Sequence, residues 1–305
     1  MVSGLRQLFE RSNPYTDRCR MENLMKYIDL HVHSSCSDGT FTPEELVSLA
    51  IDNDLVAFAL TDHDTIDGID QAVDAAKEKN IQVIPGVELS CEYKLNSGKK
   101  KEIHILGYGL DWKQQELCDT LKAIAAERDQ RNRKMCKNLA EAGFPIDYNS
   151  LVERFGSKIL TRAHFARYLV EKGAIPSIDA AFKKILAEDG PYFVIREYLT
   201  PQKGIELIKQ AGGIAVLAHP LLYKMSVSEI RQLIEELKEY GIEGIEAMYS
   251  RNHGNDEAFV RKLAQEYDLF ITGGSDFHGT NKPDIELGKG EGNLRIPVIL
   301  LENLK

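Results

Sequence analysis

The sequence lacks several features that would assign it to a specialised class of protein. It has no run of 18 or more apolar residues, which argues against a membrane-spanning helix. Residues 1–26 carry scattered charges and no apolar segment, so we do not expect a secretory signal. Positive charge is also limited, because 38 lysines and arginines face 47 aspartates and glutamates, giving a net charge of −9. We therefore expect no binding to long nucleic-acid duplexes, although a local basic pocket for a phosphorylated ligand remains compatible with this charge.

Cysteine is scarce and its pattern is uninformative. The chain has 5 cysteines, an odd number, and no CxxC motif, so neither a disulfide framework nor a cysteine zinc site is indicated. A reducing compartment, the cytoplasm, is therefore predicted. Cys36 is better interpreted as a small residue in a turn than as a nucleophile, because no suitable general base accompanies it.

Alternating apolar and amphipathic segments indicate an α/β fold from Tyr27 onwards. The chain of 305 residues is 43% hydrophobic and 28% charged, as is typical of globular proteins. Short apolar runs separated by helical patterns predict βα units around a parallel sheet. The predicted strands are 27–32, 56–61, 81–90, 102–109, 213–220, 244–250 and 269–278. Thr42 with Pro43 and Thr200 with Pro201 predict helix starts, as N-cap followed by first helical residue.

The segment between the fourth and fifth predicted strands has a different pattern. It contains a long charged helix followed by shorter helical stretches, which predicts a helical insertion that covers one face of the sheet. We therefore divide the chain into an N-terminal extension, a first barrel part, a helical insertion domain and a second barrel part, at 1–26, 27–110, 111–199 and 200–305.

Histidines and carboxylates lie at or near the ends of six predicted strands. The candidates are His31, His33, Asp38, His63, Glu88, His104, His219, Asp276 and His278. Because the carboxyl ends of parallel barrel strands open on one face, we expect these side chains to converge. Imidazoles and carboxylates without thiolates suit zinc, manganese or iron. Nine ligands are too many for one ion, so the pattern predicts a cluster of two to three divalent metal ions.

Each candidate ligand also has a simpler interpretation. A single histidine at a strand end is more often a hydrogen-bonded polar residue, and His104, within a strand, is the weakest candidate alone. The set as a whole favours metal binding. Two further carboxylates are predicted to orient ligands, Asp29 on the face of His31 and Asp62 beside His63.

Four other residues are candidates for contact with an anionic substrate. Arg162 and His164 follow Thr161, a predicted N-cap, and free N–H groups at a helix start favour anions. The alternative is an ordinary capped helix. Arg128 lies on the long charged helix, either on a solvated face or reaching the substrate. His253 follows the sixth predicted strand and is equally compatible with substrate contact and with a plain surface position.

The runs "DLHVHSSCSDG", "LTDHD", "PGVELS", "HILGYG", "AHP" and "GSDFH" occur in this order. They resemble the motifs of the polymerase and histidinol phosphatase (PHP) family of metal-dependent phosphoesterases. The resemblance implies a distorted (β/α)7 TIM-like barrel with a trinuclear site. It implies three ligand sets, namely His31, His33, Glu88 and Asp276; then Asp38, His63 and His278; then Glu88, His104 and His219.

The run "TRAHFARYLV" in the insertion is similar to a stand-alone branch of this family. That branch includes the nucleoside 3',5'-bisphosphate phosphatase and a 5'-3' exoribonuclease. The resemblance implies hydrolysis of nucleoside 3',5'-bisphosphates, or of the 5' ends of short oligonucleotides, by a metal-bridged hydroxide. No catalytic residue separate from the metal ligands is then expected.

Three alternative functions remain at this point. The first is a histidinol-phosphate-type or other small-molecule phosphatase. The second is an amidohydrolase, which shares the HxH motif, although the predicted strand ends offer no bridging lysine. The third is a PHP module that has kept its fold as a non-catalytic scaffold, for which lost ligands would be expected and none are lost.

Overall fold

The strands form one sheet in the order of the chain. The computed structural model describes residues 26–156, 159–187, 190–194 and 198–305. Within these residues, seven strands are hydrogen-bonded successively from first to last. They are β1 (Tyr27–Val32), β2 (Leu55–Leu60), β3 (Gln82–Lys94), β4 (Lys100–Tyr108), β5 (Ile214–Leu217), β6 (Gly244–Tyr249) and β7 (Phe270–Gly274). The sheet curls into a nearly closed barrel, which confirms the predicted (β/α)7 TIM-like fold.

Strand β4 departs from the parallel arrangement expected from the sequence. It pairs antiparallel with both β3 and β5, whereas the other neighbouring strands are parallel. The reason is local: β3 extends to Lys94 and returns through a tight turn in which Leu95 N donates to Lys99 O at 2.8 Å. Gly98 adopts φ 82° in this turn. A parallel connection needs a dozen or more residues. The short link between β3 and β4 therefore requires an antiparallel hairpin.

The barrel closes between β1 and β7 along a short seam. His33 N donates to Phe277 O at 3.0 Å, and Asp276 N donates to His31 O at 2.8 Å. Val32 and Phe277 form an isolated parallel bridge. Residues from the two ends of the described chain thus meet at the mouth of the barrel, where predicted ligands lie on both sides.

Helices surround the barrel and form the insertion. They are α1 (Pro43–Asp52), α2 (Ile69–Ala76), α3 (Gln115–Glu141), α4 (Tyr148–Phe155), α5 (Arg162–Glu171), α6 (Ile178–Lys184), α7 (Pro201–Gln210), α8 (Val227–Tyr240) and α9 (Asp256–Glu266). Short 3₁₀ segments cover Pro220–Tyr223, Gly279–Asn281 and Val298–Leu304. Helices α1 and α7 begin as predicted, because the hydroxyls of Thr42 and Thr200 accept from the third helical N–H of each helix.

The barrel and the insertion have separate hydrophobic cores. Apolar residues of β1 to β6 fill the barrel interior, among them Leu30, Leu106 and Met248. A second cluster consists only of residues between 135 and 194 and is made by α3 to α6. Leu117, near the start of α3, packs instead with the barrel strands and their helices. Helix α3 therefore links the two cores. Its first half packs on the barrel, and its second half contributes to the core of the insertion.

Among the described residues, no helix is both long enough and apolar enough to span a membrane. The long helix α3 carries charges throughout its length. The predicted N-terminal extension, apart from Lys26, lies outside the described residues.

Candidate metal centre

The nine predicted metal ligands meet at one end of the barrel. Six of them lie in the segments that come directly after β1, β2, β5 and β7, close to the strand ends. Three lie inside strands, namely His31 in β1, Glu88 in β3 and His104 in β4. The long antiparallel hairpin brings His104 opposite Ser90, two residues beyond Glu88. His104 therefore approaches the centre from a strand running in the opposite direction, which parallel strand ends would not have predicted.

Glu88 is the hub of the cluster and its carboxylate is fully buried. Its Oε2 lies 2.9 Å from His63 Nδ1 and 3.3 Å from the Nε2 atoms of both His31 and His33. Its Oε1 lies 2.7 Å from His104 Nδ1 and 2.9 Å from His219 Nε2. One carboxylate thus faces the ring nitrogens of five histidines, as expected for a bridging ligand.

Two aspartates complete the cluster on the side of β7. Asp38 Oδ1 lies 3.1 Å from His278 Nε2 and 3.8 Å from His63 Nε2. Asp276 Oδ1 lies 3.4 Å from His33 Nε2. The His33 ring stacks on that of His278 with centroids 4.1 Å apart, so His33 stands between the two aspartates.

Several of these buried atoms make no hydrogen bond within the described part of the chain. They are His31 Nε2, both ring nitrogens of His33, His63 Nδ1, Asp38 Oδ1, Glu88 Oε2 and His219 Nδ1. Buried polar atoms nearly always have a partner, and those without one often mark an ion. Nitrogen and oxygen donors without sulfur fit zinc, manganese or iron. The residues present therefore fit a cluster of divalent metal ions.

The ligand atoms form three overlapping groups in which all atoms lie within 4.8 Å of one another. The groups are His33, Asp38, His63 and His278; His31, His33 and Glu88; and His63, Glu88 and His104. They resemble the three sets implied by the family but differ in detail. His33, His63 and Glu88 each take part in two groups, whereas Asp276 and His219 belong to none of the three.

The charges in the cluster shift the pKa values of its members. Burial alone would raise the pKa of Glu88, but His63, His104 and His31 outweigh it and hold this pKa well below its ordinary value. Burial, together with His278 and His63, lowers the pKa of His33 well below its ordinary value. An ionised Glu88 and a neutral His33 are the forms that bind a metal.

His104 shows that the site favours positive charge at its outer side. Burial alone would lower its pKa, but Glu88 and Glu102 outweigh this effect and raise the pKa of His104 to about 10. The carboxylates thus attract a cation at this point, whether a proton or a metal ion.

Glu246, in the middle of β6, is a functional candidate that the sequence reasoning missed. It is fully buried, its Oε1 lies 3.0 Å from His31 Nδ1, and its Oε2 accepts from His219 N at 2.8 Å. A carboxylate on the second ring nitrogen fixes the orientation and tautomer of a metal-binding histidine. The available signal was a single glutamate within the apolar predicted strand "GIEAMYS".

Asp29 and Asp62 support the backbone of the site instead of the histidine rings. Asp29 accepts from His31 N at 3.2 Å, from Ser275 N at 2.8 Å and from Gly288 N at 2.8 Å. Burial raises the pKa of Asp29 to about 6. Asp62 accepts from the backbone N and the hydroxyl of Ser34, at 2.8 and 2.6 Å, so it holds the turn after β1.

Asp276 is held by two donors on one oxygen. Tyr249 OH and Lys282 Nζ donate to its Oδ2 at 2.7 and 2.6 Å, which leaves Oδ1 facing the cluster. The backbone of Asp276 has φ 57°, and that of His219 has φ 21°, both unusual for residues with a side chain. Such strain is characteristic of functional positions.

A cavity of about 340 Å³ lies between the cluster and the insertion. This volume falls in the range of small-ligand sites, about 300–1,000 Å³. Its lining includes Asp38, His63, His104 and His278 from the cluster, and Arg128, Arg131, Arg162 and Phe182 from the insertion. Cationic side chains thus face the candidate metal ligands across a space that fits a small molecule.

Both predicted substrate arginines line the cavity, and each already has a carboxylate partner. Arg128 is buried; its Nε donates to Asp64 Oδ2 at 2.8 Å, and its Nη2 donates to Ser90 Oγ at 3.0 Å. Arg162 is partly exposed and donates through Nη2 to Glu102 Oε2 at 2.9 Å. Arg128 is therefore not on a solvated face of α3.

Comparison with known proteins identifies the family. The PHP domain family matches residues 29–245, which is more than half of the chain. The chain belongs to the PHP family. Asp276 and His278 lie beyond the matched residues, but the geometry joins them to the ligands within it.

Two relatives and one solved structure place the chain within the PHP family. A 5'-3' exoribonuclease of Haemophilus influenzae is 38% identical over 255 residues, which cover 84% of this chain and 91% of that protein. A 3',5'-nucleoside bisphosphate phosphatase of Chromobacterium violaceum is 34% identical over 269 residues, covering 88% and 92%. A metal-dependent phosphoesterase of Bifidobacterium adolescentis is similar in structure, with TM-score 0.80, 26% identity and coverage of 92% and 95%.

The structure gives His164 of this PHP protein a different place from the one expected. It does not line the cavity; instead, its Nδ1 accepts from Thr161 N at 3.0 Å and caps the start of α5. Its ring packs against Phe155, with centroids 4.8 Å apart, and burial lowers the pKa of His164 to about 4. A neutral, buried histidine whose nitrogen is used as a cap does not attract phosphate, so the capped-helix alternative describes it.

His253 also lies away from the site. Its side chain is 68% exposed, 4.0 Å from Glu291, and it does not line the cavity. Of the two interpretations left open by the sequence, the surface position fits this geometry.

Proposed function

We propose that this protein is a metal-dependent phosphoesterase that hydrolyses phosphate esters of nucleotides. Its substrates are nucleoside 3',5'-bisphosphates or the 5' ends of short oligonucleotides. The names of the two PHP relatives support this substrate class, since both act on phosphate esters of nucleotides or RNA. The observation that carries the proposal is the set of buried ring nitrogens and carboxylate oxygens around Glu88 that make no hydrogen bond within the part of the chain that the structure describes.

The cluster is proposed to hold two to three ions of manganese, zinc or iron. Ions so placed would activate water and stabilise charge on the oxygens of a phosphate ester. The chain's own residues hold and orient this centre. Glu88 joins the groups, Glu246 fixes the ring of His31, and Tyr249 with Lys282 directs Oδ1 of Asp276 inwards.

The cavity wall is proposed to bind the substrate. Arg162 and Arg128 offer guanidinium groups that match phosphate oxygens in a two-pronged geometry. Arg162 is the more accessible, with 21% of its side chain exposed, and it leaves Glu102 when a second phosphate approaches. Arg128, fixed by Asp64 and Ser90, contributes fixed positive charge to the inner wall.

The test is a substrate panel with added manganese. It contains nucleoside monophosphates, nucleoside 3',5'-bisphosphates, 5'-phosphorylated oligonucleotides, histidinol phosphate, an aryl phosphate and a set of amides. We expect the highest kcat/KM for bisphosphates or short oligonucleotides, and loss of activity in excess chelator. A preference for histidinol phosphate would favour the small-molecule phosphatase alternative, and turnover of amides alone would favour an amidohydrolase.

Metal content provides an independent test. Elemental analysis of the reconstituted protein is expected to find two to three transition-metal ions per chain. One ion or none would refute the cluster. A full complement of metal with no turnover of any phosphate ester would support the scaffold alternative.

We also propose that the protein works in the cytoplasm and does not bind long duplexes. The four cysteines within the described residues form no disulfide with one another, which suits a reducing compartment. The net charge of −9 disfavours extended contact with nucleic-acid backbones.

A further inference from the structure

The two carboxylate oxygens of Asp38 have different surroundings. Oδ1 faces the cluster, 3.1 Å from His278 Nε2, and makes no hydrogen bond within the described residues. Oδ2 faces the other way and accepts from the hydroxyl of Thr161 at 3.0 Å. Thr161 belongs to the insertion, so one oxygen of this candidate ligand is offered to metal and the other is held by the cap.

The insertion is also linked to the main chain of Asp38, through Asn281. Asn281 Nδ2 donates to Asp38 O at 2.7 Å, and Arg167 Nη1 on α5 donates to Asn281 Oδ1 at 2.8 Å. Asp38 itself lies in a turn between β1 and α1, outside any regular element. Thr161 thus contacts the side chain of Asp38 directly, and α5 contacts its carbonyl indirectly, through Arg167 and Asn281.

The hydroxyl of Thr161 both accepts and donates a hydrogen bond. It is the N-cap of α5, and its oxygen accepts from Ala163 N at 3.2 Å. A hydroxyl has a single proton, and Asp38 Oδ2 at 3.0 Å is the nearer acceptor, since His164 Nδ1 lies at 3.4 Å and already accepts from Thr161 N. Both residues are largely buried, Thr161 at 7% and Asp38 at 5% exposure, where they line the cavity.

We propose that Thr161 is a positioning residue for the metal centre. By holding Oδ2, it directs Oδ1 of Asp38 towards His33, His63 and His278. The helical insertion is then part of the metal site, in addition to covering the cavity. This inference rests on the proposed metal cluster, because it assigns the partner of one of its ligands.

The test compares four variants of the full-length protein, the fourth of which is Arg167→Met. Thr161→Val removes the hydroxyl at nearly constant shape, Thr161→Ser keeps it, and Ser226→Ala removes an exposed capping hydroxyl from α8. Each protein is loaded with manganese or zinc and dialysed against a series of chelator concentrations, and the bound ions are counted by elemental analysis. Thermal unfolding of the metal-free proteins is recorded in parallel.

We expect T161V to release one ion per chain at a chelator concentration roughly ten- to hundredfold below that for the unmodified protein, as is usual when the partner of a ligand is lost. T161S and S226A should release metal as the unmodified protein does. Arg167→Met, which breaks the link through Asn281, should shift release in the same direction by a smaller factor, and it serves if T161V does not fold.

Unchanged metal release by both T161V and R167M would overturn the inference. An equal loss in S226A would overturn it too, since the effect would then follow from general loss of a helix cap. If the unmodified protein itself retains no metal, the proposed function fails, and that result is distinct from a failure of the positioning role.

Discussion

Two regions of the site bury charged groups in opposite ways. In the centre, Glu88 and His33 carry polar atoms that make no hydrogen bond within the described chain, although they lie about 3 Å from one another. In the cavity wall, Arg128 is fully engaged by Asp64 and Ser90, and Arg162 is paired with Glu102. Both of these guanidinium groups therefore have carboxylate partners in the fold, whereas the centre holds nitrogen and oxygen donors that fit a cation.

The comparison separates residues that bind from residues that support. Replacing a side chain of the centre takes away a candidate metal ligand but breaks few hydrogen bonds within the protein. Removing one member of a buried pair in the wall leaves the other charge uncompensated, which costs stability. The same reasoning implies that a substrate phosphate must compete with Glu102 for Arg162, and that Arg128 is the harder of the two to release.

The sharpest test of the centre is His33→Gln. Losing a ligand shared by two groups should remove several kcal/mol of transition-state stabilisation, so we expect kcat/KM to fall roughly a thousandfold or more. Neither ring nitrogen of His33 makes a hydrogen bond with the described residues, so the free energy of unfolding of the metal-free protein should change little. Steady-state kinetics with manganese and urea unfolding in chelator measure the two effects. Near-normal activity would contradict the assignment.

The wall is tested by Arg128→Met. This change leaves Asp64, which is 1% exposed, without its guanidinium, and breaking such a buried pair costs about 3–5 kcal/mol of unfolding free energy. The matched control is Arg261→Met, at an exposed i,i+4 pair with Glu257, where the loss should stay below about 1 kcal/mol. Both unfolding free energies are measured by urea unfolding of the metal-free protein. Equal losses in the two variants would show that the Arg128 pair stabilises the wall no more than a surface pair does.

His164 allows the cap of α5 to be tested by pH. Burial lowers its pKa to about 4 in the folded state, against 6.5 when unfolded, so the unfolded chain binds a proton between these values and the folded chain does not. Stability from this group is present above pH 6.5 and is lost as pH falls towards 4, by about 2 kcal/mol between pH 7 and 5.

His164→Gln keeps an acceptor at the third helical position but cannot be protonated. Its unfolding free energy should therefore fall less than that of the unmodified protein between pH 7 and 5. Identical pH profiles for the two proteins would show that His164 is not a buried neutral residue.

Arg162→Gln has the smallest expected effect. Only a substrate with a second phosphate is proposed to displace Glu102, so KM for a nucleoside bisphosphate should rise about tenfold, or about 1.4 kcal/mol, with little change for an aryl phosphate. Lys183→Gln, which removes an exposed lysine of α6, provides the control for lost positive charge. A similar rise for both substrates would remove Arg162 from the second-phosphate role.

Much of the fold follows from local sequence patterns. The first strand was predicted at its observed limits, 27–32, and a barrel of seven strands was predicted and confirmed. The direction of β4 was not predicted, because hydrophobic patterns locate strands without specifying their partners. Once β3 is seen to reach Lys94, only the segment 95–99 remains before β4, and this is too short for a crossover helix.

The site was predictable where its residues stand at strand ends, and less so where partners are distant in sequence. The nine candidate ligands come together in space, although their role as ligands stays a prediction. Arg128 is buried only because Asp64, on a different element, meets it, and a charged helix pattern does not contain this information. Thr161 and His164 satisfy each other as a local cap, an alternative that competed with the anion site from the start.

The seam between β1 and β7 has a consequence for folding. Asp29 and Ser275, which are hydrogen-bonded at 2.8 Å, are 246 positions apart, so closing the barrel closes a very long loop. Contacts of such long range slow folding because the chain entropy is lost before the contact forms. His33 and His278 lie on opposite sides of this seam, and an ion held by both acts as a removable cross-link between the two ends of the fold. Binding of such an ion would stabilise the closed seam and slow its opening, independently of any reaction that the centre catalyses.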